Sequence, residues 1–194
     1  MNPSAKTANA LGVSARYSFD LQSQERRRDL PRRIIIGKTE VETPAHVLLK
    51  FLGFLLFYRD RLQIGVNLRM DGLPFLPALV QLDYELRPRL WIECGECSVA
   101  RLDKLAVKVP EAEIWVLQPS RADAERLHAA MAKADLRRNR YGLIGLETEM
   151  LEELGGLLQM RNELLWVRGD FDPPSLQFDF NGLWFDTTFT VLRF

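Results

Sequence analysis

Apolar and polar residues alternate over residues 14–22, with Tyr17, Phe19 and Leu21 set against Ser18, Asp20 and Gln22. A period of two predicts a half-buried strand. Residues 1–13 are small and polar and read as a disordered tail. Three isoleucines at residues 34–36 predict a second short strand after an arginine-rich turn. A helix start follows, with Thr43 as N-cap and Pro44 at the first helical position. The helix is expected to run to about residue 60. It is apolar almost all round, which predicts burial inside the protein. Its polar line, His46, Lys50 and Gly53, keeps i, i+4, i+7 spacing and is expected to face a cavity or solvent.

Strands are predicted over residues 62–68 and 78–83, with Gly72, Pro74 and Pro77 breaking the chain between them. Residues 89–93 (RLWIE) have a continuous apolar centre, as in a strand covered on both faces. Ser98 is a good N-cap for a helix over residues 99–108, and residues 113–117 form another buried strand. Ser120 and Asp123 open a further helix, with Ala124, Leu127, Met131 and Ala134 at helical spacing. A strand over residues 141–146 and a short amphipathic helix over 150–158 come next. The end is all strand: residues 163–168, 176–180, the hairpin turn Asn181-Gly182, and 183–194. This order predicts a single α/β domain over residues 14–194. Its mixed, partly antiparallel sheet is flanked by helices, and its C-terminal end is rich in hairpins.

Composition narrows the function classes. Lysine plus arginine and aspartate plus glutamate each total 26, so no overall field draws the chain to nucleic acid. Any such role needs a local patch, and two arginine groups qualify: Arg26, Arg27, Arg28, Arg32 and Arg33, then Arg137, Arg138 and Arg140. Two cysteines do not make a secreted disulfide framework. The longest apolar run, residues 47–58, is interrupted by Lys50 and falls short of the roughly 20 residues that span a bilayer. With no signal-peptide pattern either, a cytoplasmic protein without a membrane partner is expected.

The chemistry centres on Asp83 and Glu93, each closing an apolar strand. A carboxylate in that position needs a cation or several hydrogen-bond donors. Two of them on neighbouring strands could hold magnesium and activate a water. The structural alternative is a pair of carboxylates tied to backbone N–H groups or arginine. Cys94-Gly95-Glu96-Cys97 is a C-x-x-C at a strand-to-helix junction, where a thiol redox pair would sit. A zinc site there would need two more ligands, and the only histidines, His46 and His128, fall on separate helices.

The segment of residues 83–106, DYELRPRLWIECGECSVARLDKLA, resembles the signature of the YaeQ family: an Asp, a strand reading LWIE, x-Gly, then a helix with basic residues. Glu42-Thr43 leading into HVLLKFL, and RLQIGVNL at residues 61–68, are similar to that family's first helix and following strand. The resemblance implies a bacterial protein with a PD-(D/E)XK nuclease-like core. Asp83 and Glu93 would be its metal ligands, magnesium or manganese its cofactor, and nucleic acid its substrate. Gly95 stands at the place of the motif lysine, so Arg101 or Lys104 on the following helix would supply the cation. Glu42 would add a further carboxylate. The rival reading keeps the fold as a catalytically inactive module binding nucleic acid or protein. Neither reading requires a small-molecule organic cofactor.

Overall fold

In the computed structural model, residues 12–26, 28–65 and 75–194 are described. The chain runs β1 (Val13–Ser23), β2 (Arg33–Thr39), α1 (Pro44–Phe57), β3 (Leu62–Ile64), β4 (Leu79–Leu82), β5 (Pro88–Cys94) and α2 (Val99–Lys108). It continues through β6 (Glu113–Gln118), α3 (Arg121–Lys133), β7 (Tyr141–Gly145) and α4 (Thr148–Leu157). The last strands are β8 (Arg161–Phe171), β9 (Pro174–Phe180), β10 (Leu183–Thr188) and β11 (Thr190–Arg193).

Where the sequence predicts one mixed sheet, there are two. The first has the order β10-β9-β8-β1-β2 and the second β11-β7-β6-β5-β4-β3. Each is mixed: β1 runs parallel to β8 and antiparallel to β2, while β5, β6 and β7 run parallel and β4 antiparallel to β5. The expected single strand over residues 183–194 is split between the sheets. Phe189 turns inward at the break and is buried. β10 stays with β9, and β11 crosses to pair with β7.

The two sheets explain why α1 is apolar all round. One core cluster joins α1 to Phe19, Ile36 and Phe178 of the first sheet and to Ile92, Leu117 and Ile144 of the second. Every α1 residue from Val47 onward is buried, including Lys50 and Gly53. Of the expected polar line, Lys50 and Gly53 therefore face packed structure while His46 stays partly exposed, and a side chain at Gly53 would press on Leu79 and Leu117. α4 packs on α1 in the same layer through Met150, Leu151 and Leu154. α2 and α3 cover the opposite face of the second sheet in a separate cluster with Val80, Trp91, Val116 and Leu143.

Several boundaries move. β1 begins at Val13, inside the expected tail, and α1 ends at Phe57, three residues early. β3 stops at Ile64; the rest of the strand expected over residues 62–68, with Gly72 and Pro74, lies outside the described residues. The parallel strands β5, β6 and β7 all end at one edge of their sheet, and α2, α3 and α4 each begin there.

Candidate functional site at the strand ends

β4 and β5 are antiparallel, with Leu79 opposite Ile92 and Leu82 opposite Pro88. Asp83 follows the end of β4 and so sits beside the start of β5. Glu93 lies five residues further along β5. At a rise of about 3.3 Å per residue this sets the two carboxylates on the order of 17 Å apart, at opposite ends of the hairpin. The expected metal pair of Asp83 and Glu93 is not brought together. Beside Glu93, β4 offers Ala78 and Leu79; the Ala78 N–H donates to the Ile92 carbonyl.

Asp83 organises the hairpin turn. Its carboxylate accepts from the backbone N–H groups of Glu85 and Arg87 at 2.9 Å. It also accepts from Nε of Arg87 and of Arg89 at 3.0 Å. Burial would raise its pKa, but the N–H and guanidinium of Arg87 outweigh that and hold the carboxyl at about 2.

Glu93 is 8% exposed and lies on the α2 side of the sheet. Its Oε1 accepts from Trp91 Nε1 at 2.8 Å and from Arg101 Nη2 at 2.9 Å; its Oε2 accepts from the same Nη2 at 3.1 Å. Ser98 caps α2 by accepting from the Arg101 N–H, which fixes the base of that arginine. The guanidinium also lies over Phe75 at 4.2 Å and donates to the Leu76 carbonyl. Burial is the largest influence on Glu93 and raises its pKa despite the Trp91 hydrogen bond and the Arg101 charge. Lys104, the other cation expected here, is exposed on α2, and the cation that reaches Glu93 is Arg101.

Side chains alternate along β5, so Ile92 and Cys94 face α1 while Trp91 and Glu93 face α2. On the α1 face lies an ion pair of Glu42 with Lys50, whose residue is 4% exposed. Glu42 also accepts from the Thr39 N–H at 2.8 Å. Burial would raise the Glu42 carboxyl, but Lys50 and Thr39 outweigh it and the net shift is downward. Lys50 is the residue that the sequence signalled least clearly, as one charge in an apolar run.

Gly95 adopts φ +76, and a Cβ there would come within 2.8 Å of His46 Nε2. The Gly95 carbonyl accepts from Gln118 Nε2 at 2.9 Å. A side chain here would be strained by the left-handed φ and would have to displace the His46 ring. Cys94 and Cys97 are half-buried free thiols. Burial first, then the Glu93 charge, pushes both up, Cys97 to about 12, which disfavours the reactive thiolate. His128 lies apart from them, its Nε2 3.2 Å from the Arg193 carbonyl. Among the described residues, no group of three His, Cys, Asp or Glu side chains is placed to hold a metal.

Four arginines of the two groups are engaged within the chain, and Arg26, Arg32 and Arg137 are exposed. Arg28 donates to the Leu55 and Leu56 carbonyls at the end of α1 and lies over Trp166. Arg33 pairs with Asp20, Arg140 donates to the Val109 and Pro110 carbonyls, and Arg138 lies over Phe194. Arg27 lies outside the described residues. Beyond the ends of β6 and β7, a cavity of about 470 Å³ opens between α1, α3 and α4, walled by Leu48, Pro119 and Leu151 and rimmed by Asp123 and Glu152. Among the described residues no helix is long and apolar enough to cross a membrane.

Comparison with known proteins adds a family. The family model described as YaeQ protein matches residues 14–167. No curated protein matches the chain. The crystal structure of a YaeQ protein from Xanthomonas axonopodis pv. citri is similar with a TM-score of 0.71 at 23% identity, over 92% of this chain and 97% of that one. A YaeQ protein from Pseudomonas syringae is similar with a TM-score of 0.71 at 17% identity, over 92% and 95% of the two chains. At these identities the likeness is one of fold.

Proposed function

The chain belongs to the YaeQ family, and from that premise we propose that it is a nucleic-acid-binding module of nuclease-like fold that does not cut its ligand. The observation that carries this reading is the hairpin register, which sets Asp83 and Glu93 at opposite ends. As placed, the acidic residues do not fit a shared magnesium or manganese ion. Asp83 is committed to its turn, Glu42 to Lys50 on the other face, and both Glu93 oxygens to Arg101. No metal-dependent step is assigned to them. Gly95 supplies no side chain beside Glu93 where the motif has a lysine.

Lys104 and Lys108 are exposed one turn apart on the second half of α2, which runs from the edge where the parallel strands end back toward the start of β6. They are two of the exposed cations open to phosphate contact, and a pair suits weak, salt-sensitive association. The test uses labelled single- and double-stranded oligonucleotides with magnesium or manganese. Binding should weaken with salt and with Lys104→Ala plus Lys108→Ala, and the oligonucleotide should stay intact. Metal-dependent cleavage that Glu93→Gln abolishes would overturn the reading, and absence of any binding would transfer it to a protein ligand.

A further inference from the structure

The tip of the β4–β5 hairpin projects two large apolar side chains into solvent, Tyr84 at 88% exposure and Leu86 at 67%. Leu86 holds φ +62, a left-handed conformation that is unusual for a bulky residue. The Asp83 hydrogen bonds to the N–H groups of Glu85 and Arg87 on either side hold the turn in that shape. A strained backbone that keeps an apolar side chain in water points to a contact made elsewhere.

Beside the tip lies a hole. A cavity of about 390 Å³ opens between the edge strands β2 and β3, with Phe54 of α1 and Tyr58 just after it as its floor and Ile34, Ile35 and Ile64 as its walls. Arg59 and Arg61 line it as well. Arg61 joins the two features: its guanidinium lies 4.5 Å from the Tyr84 ring centroid, and its Nη2 donates to the Asp83 carbonyl at 2.8 Å. The apolar knob and the apolar hole are thus held at fixed spacing on one side of the molecule.

We propose that this side is a two-fold interface, in which the Tyr84–Leu86 knob of each copy enters the Ile35–Tyr58 hole of a second copy of this chain. A knob and a hole side by side form a self-complementary surface, which a two-fold axis satisfies twice. Charge supports the same occupant. Glu85 sits exposed between the two knob side chains, beside Arg87, and the hole carries Arg61 and Arg59, the latter 3.5 Å from Glu113. At the tip itself Asp83, Glu85 and Glu111 balance Arg87 and Arg89 through ion pairs, which leaves no excess positive charge for a phosphate backbone. A rigid aromatic and aliphatic anchor beside arginines has the composition of an interface hot spot.

Sedimentation equilibrium of the full chain from low to high micromolar concentration tests this. Wild type should show a monomer–dimer equilibrium. Tyr84→Ser and Leu86→Gly should each weaken it about tenfold or more. Both positions are exposed, so the variants should melt near wild type when dilute, and Leu86→Gly should melt slightly higher because its left-handed strain is relieved. Glu85→Arg and Arg59→Glu should each be monomeric alone, because like charges then meet at both contacts. Mixed, they should form a heterodimer in which both contacts are attractive. A wild type that stays monomeric throughout, or a dimer indifferent to Tyr84→Ser and Leu86→Gly, overturns the proposal.

Discussion

The two ends of the β4–β5 hairpin carry the same kind of group in opposite surroundings. At the turn, Asp83 collects two backbone N–H groups and two arginines, and its carboxyl is held at about 2. At the far end, Glu93 also meets an arginine and an indole N–H, yet burial dominates and its pKa is raised. An arginine partner alone therefore does not set the sign. What decides it is how many donors stay in reach once water is removed. The Asp83 end is a mechanical fastening for a loop, whereas the Glu93 end ties α2 to the sheet across a covered face.

The largest expected effect comes from breaking the buried end. Arg101→Ala leaves Glu93 nearly buried with only Trp91 as donor. Loss of one partner of a buried pair costs about 3–5 kcal/mol, and partial exposure of the arginine brings the expectation to about 2–3 kcal/mol. Urea unfolding measures it. Lys104→Ala should change stability by less than about 0.5 kcal/mol, as expected of an exposed side chain. Equal effects from the two would mean that Arg101 does not hold Glu93.

A smaller effect separates the two ends by pH. Asp83 has a folded pKa below its ordinary value, so its contribution is present above pH 3.8 and lost as pH falls toward about 2. Asp83→Asn should be less stable than wild type at neutral pH, with the gap closing through that window. Glu93, raised in the folded state, carries the opposite sign. Its neutral form suits burial, so its stabilisation grows as pH falls through the carboxylate range. Measured against Glu93→Gln, wild type should gain as the solution is acidified. Two variants with the same sign of pH dependence would remove the contrast.

Much of this was legible in the chain. Thr43-Pro44 announced α1, Ser98 announced α2, and the run of residues 47–57 announced a helix buried on every side. What covers α1 was less visible, because two sheets can only be told from one by their pairing. Phe189 gives no turn signal where the chain changes sheets. The spacing of Asp83 and Glu93 misled for a geometric reason. Both close their strands, and groups that close successive strands lie together only when those strands are parallel. The five residues between Leu82 and Pro88 make a tight turn, which makes the strands antiparallel and sends the two carboxylates to opposite ends. For Lys50 a cavity and solvent were both open, because the sequence does not reveal that Glu42 turns inward to meet it.

The central claim is that Asp83 and Glu93 do not share a cation. Manganese titration followed by the melting temperature of wild type, Asp83→Asn and Glu93→Gln tests it most directly, since an ion bound only by the folded state raises that temperature. The geometry predicts no saturable rise that depends on either carboxylate, with all three proteins responding alike to the ion. A saturable rise in wild type that disappears in both variants would contradict it, because two groups on the order of 17 Å apart cannot ligate one ion at the 2.0–2.6 Å that oxygen ligands require.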